Sequence, residues 1–238
     1  MDDHELARRA VLDASEQLLD DATPAGVIAG TLRAHRPDDA LLGDHLDEPR
    51  SRHRVWLVDA PDNLEAASMG VALSEHGEIT AGAVALLARG LVLGTTDRGC
   101  ACDCTGEAGS CDATLRDTGA AAEDGGPVRI RSIGVDRDPP PRCAERLARV
   151  AGARLVRYPS NAISAVCVVL GEADVHVQDG NEAAWRSAAA VSIAHVVGLH
   201  VSRLDGSPPR YDTSGDHIPD LLICRPELAA IVLAGLTA

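Results

Sequence analysis

Two carboxylates, Asp59 and Asp62, follow a short apolar run at residues 55–58. The run predicts a buried strand. Pro61 fixes its own φ and holds Ala60 in an extended conformation, so the chain must turn where the acids emerge. This spacing can direct both carboxylates at one hard cation such as Mg²⁺, which takes one or two carboxylates together with phosphate and water. The alternative is that the two aspartates cap a helix and close a surface turn.

Composition restricts the classes of function. The chain has 238 residues, of which 45% are hydrophobic, enough for one globular unit or two tightly joined halves. Aromatic residues make up 2% and Phe is absent, so a surface that stacks nucleic-acid bases is not expected. The net charge of −14 repels phosphate backbones, which argues against nucleic acids and anionic membranes as partners. A phosphorylated ligand would therefore need local cations.

The sequence contains no run of about 20 apolar residues, as a membrane span requires. The first five residues are acidic where a signal peptide would be basic, so we expect the protein in the cytoplasm. Seven cysteines are an odd number for a secreted disulfide framework.

Four cysteines cluster between residues 97 and 127, and they are Cys100, Cys102, Cys104 and Cys111. Thiolates are ligands for zinc and for iron–sulfur clusters, but this spacing lacks the paired Cys-x₂₋₄-Cys of structural zinc sites. Its Gly- and Asp-rich composition predicts a solvated loop with reduced thiols. A cysteine-ligated metal or redox protein is the weakest of the functional hypotheses.

Hydrophobic periodicity predicts a mixture of helices and strands without strict βαβ alternation. Helices are expected at residues 3–20, 24–35, 142–151 and 185–197 and from residue 226 onward, and residues 162–170 are expected to be helical or buried. Strands are expected at residues 40–43, 55–58, 71–73, 79–87, 91–94, 128–133, 154–158, 173–177, 200–204 and 221–224. The predicted division is an N-terminal half at 1–96, the loop at 97–127 and a C-terminal half at 128–238.

Two regions resemble a known family. The stretch at 56–64, Trp-Leu-Val-Asp-Ala-Pro-Asp-Asn-Leu, is similar to the Trp-Ile-x-Asp-Pro-Leu-Asp-Gly-Thr motif of the Mg²⁺-dependent inositol monophosphatase family. The stretches at 185–189, 198–211 and 219–227 resemble the branch of that family that hydrolyses 3′-phosphoadenosine 5′-phosphate. The resemblance implies an α/β fold, a layered αβαβα sandwich in a shortened form, and a homodimer as the common assembly.

The resemblance also implies a metal site. Asp59 and Asp62 match the two motif aspartates, and the carbonyl of Pro61 matches a backbone ligand. Asp44 and His45 fall where the family has a Glu-Glu pair. In the family, acids from both halves hold two or three Mg²⁺ ions that stabilise the oxygens of a phosphoryl transfer.

The departures from the family pattern concern the same site. Arg186 replaces the Asp with which the second half contributes to the metals, and a guanidinium cannot ligate Mg²⁺. We expect Arg186 to bind Asp59 and Asp62 in bidentate fashion. Asn63 and Leu64 replace a Gly-Thr pair that meets the phosphate and the attacking water, and Ser164 replaces a Lys. The candidate substrate contacts are Asn63, Leu64, Ser164 and Glu182.

Two functions follow from this pattern. The first is a repurposed member of the family that has lost ordinary two-metal activity and binds or transforms a small phosphorylated or nucleotide-like metabolite. The alternative is an active phosphomonoester hydrolase with one metal on Asp44, Asp59 and Asp62, in which Arg186 stabilises phosphoryl charge. His45 would then favour Mn²⁺ or Zn²⁺ over Mg²⁺.

Overall fold

A computed structural model describes residues 1–17, 23–44, 46–47, 53–60, 68–97, 99–104, 128–211 and 217–237. These residues form six α-helices, which are α1 (Asp3–Glu16), α2 (Pro24–His35), α3 (Arg142–Ala151), α4 (Asn161–Val169), α5 (Trp185–Val196) and α6 (Ala229–Thr237). Short 3₁₀ turns lie at Leu87–Arg89 and Pro226–Leu228.

The described residues also form twelve strands in two sheets. The first seven are β1 (Ala40–Gly43), β2 (Leu46–Asp47), β3 (Arg54–Asp59), β4 (Ser68–Glu75), β5 (Glu78–Leu86), β6 (Leu91–Thr96) and β7 (Gly99–Cys104). The other five are β8 (Ser132–Val135), β9 (Arg154–Arg157), β10 (Val175–Ala183), β11 (His200–Ser202) and β12 (His217–Cys224). The strand orders are β2-β1-β3-β4-β5-β6-β7 and β11-β12-β10-β8-β9.

The elements stack as an αβαβα sandwich, as the resemblance implied. Helices α1 and α2 cover the outer face of the seven-stranded sheet, and α3 and α6 cover the outer face of the five-stranded sheet. Helices α4 and α5 lie between the sheets, in a core to which strands of both sheets contribute. In β3, Trp56 and Val58 face the outer helices while Val55 and Leu57 face the central ones. Both faces are buried, which explains the continuous apolar run.

Strand β3 is anchored at its amino end by an ion-pair network. Arg54 donates to Asp39 at 3.0 Å and to Asp3 at 2.9 Å, and it also pairs with Glu75. Trp56 donates its indole N–H to Asp39 at 2.9 Å. The Asp39 carboxylate accepts hydrogen bonds from two residues of β3, and this holds the strand in position. Asp59 lies at the opposite end of the same strand.

Several predicted boundaries agree with the structure, and others were wrong. The strand expected at 128–133 is β8 at Ser132–Val135, and the strand expected at 173–177 is β10 at Val175–Ala183. Helices α2 and α3 and strand β1 have the expected limits, whereas α1 ends at Glu16 rather than at residue 20. Part of the predicted loop at 97–127 is strand β7, which pairs antiparallel with β6. Pairing with an existing strand overrides the weak strand propensity of Gly and Asp here. Cys111 and the rest of that loop lie outside the described residues.

Candidate functional site

Asp44 and Asp59 follow two adjacent parallel strands. Strands β1 and β3 pair in parallel, with Gly43 opposite Val58, so the next residues along the chain emerge at the same edge of the sheet. The absence of a side chain at Gly43 permits this close pairing, because a Cβ there would lie 2.3 Å from the carbonyl oxygen of Val58. Asp44 and Asp59, two of the three carboxylates that the resemblance assigns to the metal site, thereby lie at the same edge of the sheet.

Arg186 lies in the first turn of α5 and reaches the same edge. Its guanidinium Nη2 donates to Asp44 Oδ2 at 3.4 Å, and the two side chains are 49% and 35% exposed. A single long contact between exposed groups contributes little, about 0–1 kcal/mol. The position also disfavours a cation, because the helix macrodipole places partial positive charge at the N-terminus. Arg186 is therefore only weakly held.

The expected partners of Arg186 need correction. The sequence predicted a bidentate pair with Asp59 and Asp62, but the guanidinium contacts Asp44, and Asp62 lies outside the described residues. Asp44 follows β1, which pairs with β3 at this edge, and its side chain is 35% exposed. Among the described residues, Asp59 has no hydrogen-bond partner.

The carboxyl of Asp59 carries unusual electrostatics. Burial raises its pKa to about 7, Arg186 opposes that rise, and the neighbouring Asp44 adds to it. A carboxyl with a raised pKa next to a second carboxylate is a feature of sites that bind cations or move protons. Asp59 thus behaves differently from an aspartate that only closes a surface turn.

The first turn of α5 is positioned by Tyr211, which lies in the segment between β11 and β12. The Tyr211 hydroxyl lies 3.0 Å from Ser187 Oγ, and both groups are buried. The backbone of Tyr211 donates to Gly77 O at 2.9 Å and accepts from Ser74 Oγ at 2.8 Å. Tyr211 therefore ties the start of α5 to strand β4 and the turn after it, and this fixes the backbone that presents Arg186.

Ser164 does not face the site, contrary to its expected role as a substrate contact. It is 0% exposed in α4, and its hydroxyl lies 2.8 Å from Nδ1 of the fully buried His176 of β10. A hydroxyl that is enclosed and already bonded cannot reach a ligand in a cleft. Glu182 remains partly exposed near the end of β10, three residues before α5 begins.

Sequence analysis missed several buried polar groups on the side of the site formed by the C-terminal half. Within the described residues, no partner is found for Asn161 Oδ1, the side-chain amide of Gln178, Trp185 Nε1 or His176 Nε2. Asn161 begins α4, whose cap residue Ser160 lies 3.2 Å from Ser68 of β4, Oγ to Oγ. Gln178 directly follows the buried residues 175–177 of β10, and this position was the available signal, because buried polar groups normally have hydrogen-bond partners.

The remaining predicted site residues, His45, Pro61, Asp62, Asn63 and Leu64, lie outside the described residues. Within the described part of the chain, no three His, Cys, Asp or Glu side chains come together as a metal-binding group. Asp44 and Asp59 are carboxylates, the ligand type that hard cations prefer, and the guanidinium of Arg186 contacts Asp44. The described residues at this edge therefore supply two carboxylates and one guanidinium.

The thiol of Cys100 packs against the central core, and burial raises its pKa to about 12. Burial thus disfavours the thiolate, which is the form that binds metals. In the described ranges, no helix is long and apolar enough to cross a membrane.

Comparison with known proteins identifies close relatives by sequence. No protein-family model matches the chain. The chain is 34% identical to a 3′-phosphoadenosine 5′-phosphate phosphatase of Mycobacterium bovis over 86% of its own length and 76% of that protein. It is 30% identical to the protein of the same name from Mycobacterium leprae, over 94% and 82% of the two chains.

Solved structures show the same fold. Inositol monophosphatase II of Staphylococcus aureus matches with a TM-score of 0.72 and 18% identity, over 97% of this chain and 91% of that one. The inositol monophosphatase of Anabaena matches with a TM-score of 0.72 and 16% identity, over 98% and 94%. The staphylococcal enzyme has also been solved with inositol monophosphate and with 2′-AMP bound. By its sequence relatives and its fold, the chain belongs to the inositol monophosphatase family, in the group of the 3′-phosphoadenosine 5′-phosphate phosphatases.

Proposed function

We propose that the chain binds a small phosphorylated, nucleotide-like metabolite at the edge formed by Asp44, Asp59 and Arg186. The observation that carries the proposal is the half-exposed guanidinium, which among the described residues contacts Asp44 alone, at 3.4 Å. Its other N–H groups are available to phosphate oxygens, which guanidinium groups bind in bidentate fashion. The substrate in the relatives' name and the 2′-AMP bound to the staphylococcal enzyme support this ligand class.

We also propose that ordinary two-metal hydrolysis is lost or strongly reduced. Two-metal catalysis stabilises the attacking and the leaving oxygen with separate ions. Arg186 supplies a permanent positive charge where a further carboxylate would be required, and it repels a second divalent ion. Removal of one preorganised catalytic group commonly lowers kcat by about 10²–10³.

Phosphate release tests the loss of activity. The purified protein is incubated with Mg²⁺ and either adenosine 3′,5′-bisphosphate or inositol 1-phosphate, and inorganic phosphate is measured. We expect no release above the blank. Robust phosphate release that EDTA abolishes would contradict the proposed loss of hydrolysis.

Calorimetry tests ligand binding separately from catalysis. Adenosine 3′,5′-bisphosphate is titrated into the protein in EDTA, so that any affinity comes from the chain itself. Arg186→Gln should weaken binding by about tenfold, which corresponds to the loss of one charge-assisted hydrogen bond. Arg9→Gln is the matched control, because Arg9 is an exposed arginine that also pairs with one aspartate, Asp13. Equal affinity of all three proteins would contradict a binding role for Arg186.

A second candidate function is one-metal hydrolysis, and Asp59, which has no hydrogen bond to a described residue, favours it. Its carboxyl lacks a described partner and is available to a cation. Asp44 and Asp59 would hold the ion, and Arg186 would contact the phosphoryl group, as an arginine does in other phosphoryl-transfer sites. A divalent ion there would polarise a phosphoryl oxygen.

The choice of metal distinguishes the two candidates. Turnover of adenosine 3′,5′-bisphosphate with Mn²⁺ or Zn²⁺ but not with Mg²⁺ would establish one-metal hydrolysis, provided that Asp59→Asn abolishes it. Turnover that persists in Asp59→Asn would instead point to a contaminating phosphatase and remove support for this candidate.

A further inference from the structure

An arginine-rich surface lies on the five-stranded sheet. Residues 128–158 contain eight arginines and three carboxylates, although the whole chain has a net charge of −14. Five of these arginines are exposed and have no described side-chain partner: Arg129, Arg131, Arg142, Arg149 and Arg154. Arg142 begins α3, and the other four lie near the starts of β8 and β9. Arg129 and Arg131 precede β8, Arg149 lies in the last turn of α3, and Arg154 begins β9. Parallel pairing of β8 with β9 brings these segments to one end of the sheet.

Exposed apolar side chains accompany these arginines. The described chain has five exposed large hydrophobic residues, and three of them belong to this region: Val128 at 41%, Val150 at 64% and Leu155 at 37%. We call the four arginines near the starts of β8 and β9 and these three apolar residues the basic edge. Arginine combined with exposed apolar groups is typical of interaction surfaces, whereas solitary surface charges are not.

Within the described ranges, no strand pairs with the outer side of β9. Arg154 donates its N–H to Arg131 O at 3.0 Å, and Tyr158 donates its N–H to Val135 O at 2.8 Å. Backbone groups along a strand point alternately to its two sides, so those of every second residue between them point away from β8. The N–H and C=O groups of Leu155 and Arg157 therefore face away from β8. Among the described strands, β9 is the last of its sheet, and such an edge can accept a further strand.

The basic edge is far from the candidate site. It lies where β8 begins, beside the start of β10 at Val175, whereas β10 ends just before Arg186. Nine strand residues span roughly 25–30 Å. A ligand of the basic edge would not occupy the site at Asp44 and Asp59.

We propose that the basic edge docks an extended acidic segment of another protein, which adds to β9 as a further strand. The open backbone groups provide the main-chain hydrogen bonds, the arginines select carboxylates, and Leu155 and Val150 contact alternate apolar side chains. A second copy of this chain fits poorly, because antiparallel pairing of two β9 strands would bring arginines of both copies together.

A labelled heptapeptide of alternating Glu and Val is the probe, and its binding to the full chain is measured by fluorescence anisotropy at low salt. We expect saturable binding that weakens with added salt, and no binding of the matching Lys/Val peptide. The double variant Arg149→Ser with Arg154→Ser should bind at least about tenfold more weakly. Arg9→Ser, a change of the same kind on α1, should bind like the original chain.

Two further measurements separate strand addition from simple charge attraction. Leu155→Pro keeps every arginine and removes one outward N–H, a change that edge strands tolerate. It should abolish binding while circular dichroism shows an intact fold. The Glu/Val peptide with alternate N-methyl groups should also fail to bind. Equal binding of that peptide, equal binding by Leu155→Pro, or binding of an RNA oligonucleotide in place of the peptide would overturn the proposal. Self-association that Leu155→Pro abolishes would overturn it too, in favour of a second copy as the occupant.

Discussion

At the scale of single residues, the positive charge of Arg186 affects which ligands Asp44 and Asp59 can bind. Arg186 keeps its proton under all ordinary conditions, so Asp44 and Asp59 always have a cation beside them. The arginine relieves repulsion between the acids and at the same time weakens their affinity for metal ions. Both effects favour an anionic ligand over a second divalent ion.

Replacing Arg186 should therefore increase metal affinity. Arg186→Asp removes the cation and adds a carboxylate, so Mn²⁺ should bind at least about tenfold more tightly, as expected for a new charged ligand. Arg186→Gln removes the cation without adding a ligand, and its increase should be smaller. Calorimetry or Mn²⁺ electron paramagnetic resonance measures both. Unchanged affinity in Arg186→Asp would show that Arg186 does not face the metal position.

The sequence predicts part of this residue-level chemistry. The exit of Asp59 from a strand and the position of Arg186 at a helix start follow from local patterns. The pairing of Arg186 with Asp44 does not, because 142 residues separate them and the register of β1 on β3 decides which acid is within reach.

At the scale of elements, α4 and β10 enclose a neutral histidine. His176 lies in β10 opposite Gly134 and Ile223, and Ser164 of α4 bonds to its ring. Burial lowers its pKa to about 3, and no charged group among these neighbours opposes that. The folded chain therefore keeps His176 neutral at pH values where the unfolded chain protonates it.

Acid should consequently destabilise this pairing of α4 with β10. Above a pH of about 6.5, His176 is neutral in both the folded and the unfolded chain, so it does not change the free energy of unfolding. As the pH falls below about 6.5, only the unfolded chain takes up the proton, which stabilises the unfolded state. Between pH of about 7 and about 4.5, the original chain should lose about 2 kcal/mol more than His176→Gln. Urea unfolding at each pH measures this difference. Parallel pH profiles of the two proteins would contradict a buried neutral histidine.

The packing of α5 on the seven-stranded sheet yields another prediction. A Cβ at Gly82 of β5 would lie 2.3 Å from Ser192 Oγ of α5 and 2.9 Å from Val71 O. Gly82→Ala should therefore lower the free energy of unfolding by about 1–3 kcal/mol. Gly30→Ala makes the same chemical change in α2, where no atom lies within 4 Å, and should raise it by about 0.5–1 kcal/mol. Denaturant unfolding measures both, and equal signs would contradict the close packing.

Element boundaries were predictable where the chain has strong local signals. Pro24 and Thr23 mark the start of α2, and Gly152 in the left-handed conformation ends α3. Strand β7 lacks such signals and depends on its pairing with β6, so a local pattern could not reveal it.

At the scale of the whole molecule, the central helices join the two sheets. One core contains Leu57 and Ala72 of the first sheet, Val166 and Ala190 of the central helices, and Ile223 of the second sheet. Separation of the halves would expose this shared apolar surface to water. The layered architecture was predictable from the family resemblance, whereas the shared core depends on side-chain packing that periodicity does not specify.

The two halves should consequently unfold together. Trp185→Leu leaves Trp56, which is fully buried between the outer helices and the first sheet, as the only tryptophan. Its fluorescence and the far-UV circular dichroism should give the same denaturant midpoint, as two-state unfolding requires. In Trp56→Leu the fluorescence comes from Trp185 at the start of α5, and fluorescence and circular dichroism should again give the same midpoint. Two separated transitions would show that the halves are independent units.

The residues of the shared core and the residues of the candidate site are different, and this affects how the sequence can evolve. None of the residues that fill it is Asp44, Asp59 or Arg186, so selection for a folded chain acts on one set of positions and selection for chemistry on another. Such a scaffold can exchange an acid for a base at the start of α5 and remain intact. An ancestor that hydrolysed phosphate esters could thus leave descendants that retain its architecture after the reaction itself has gone.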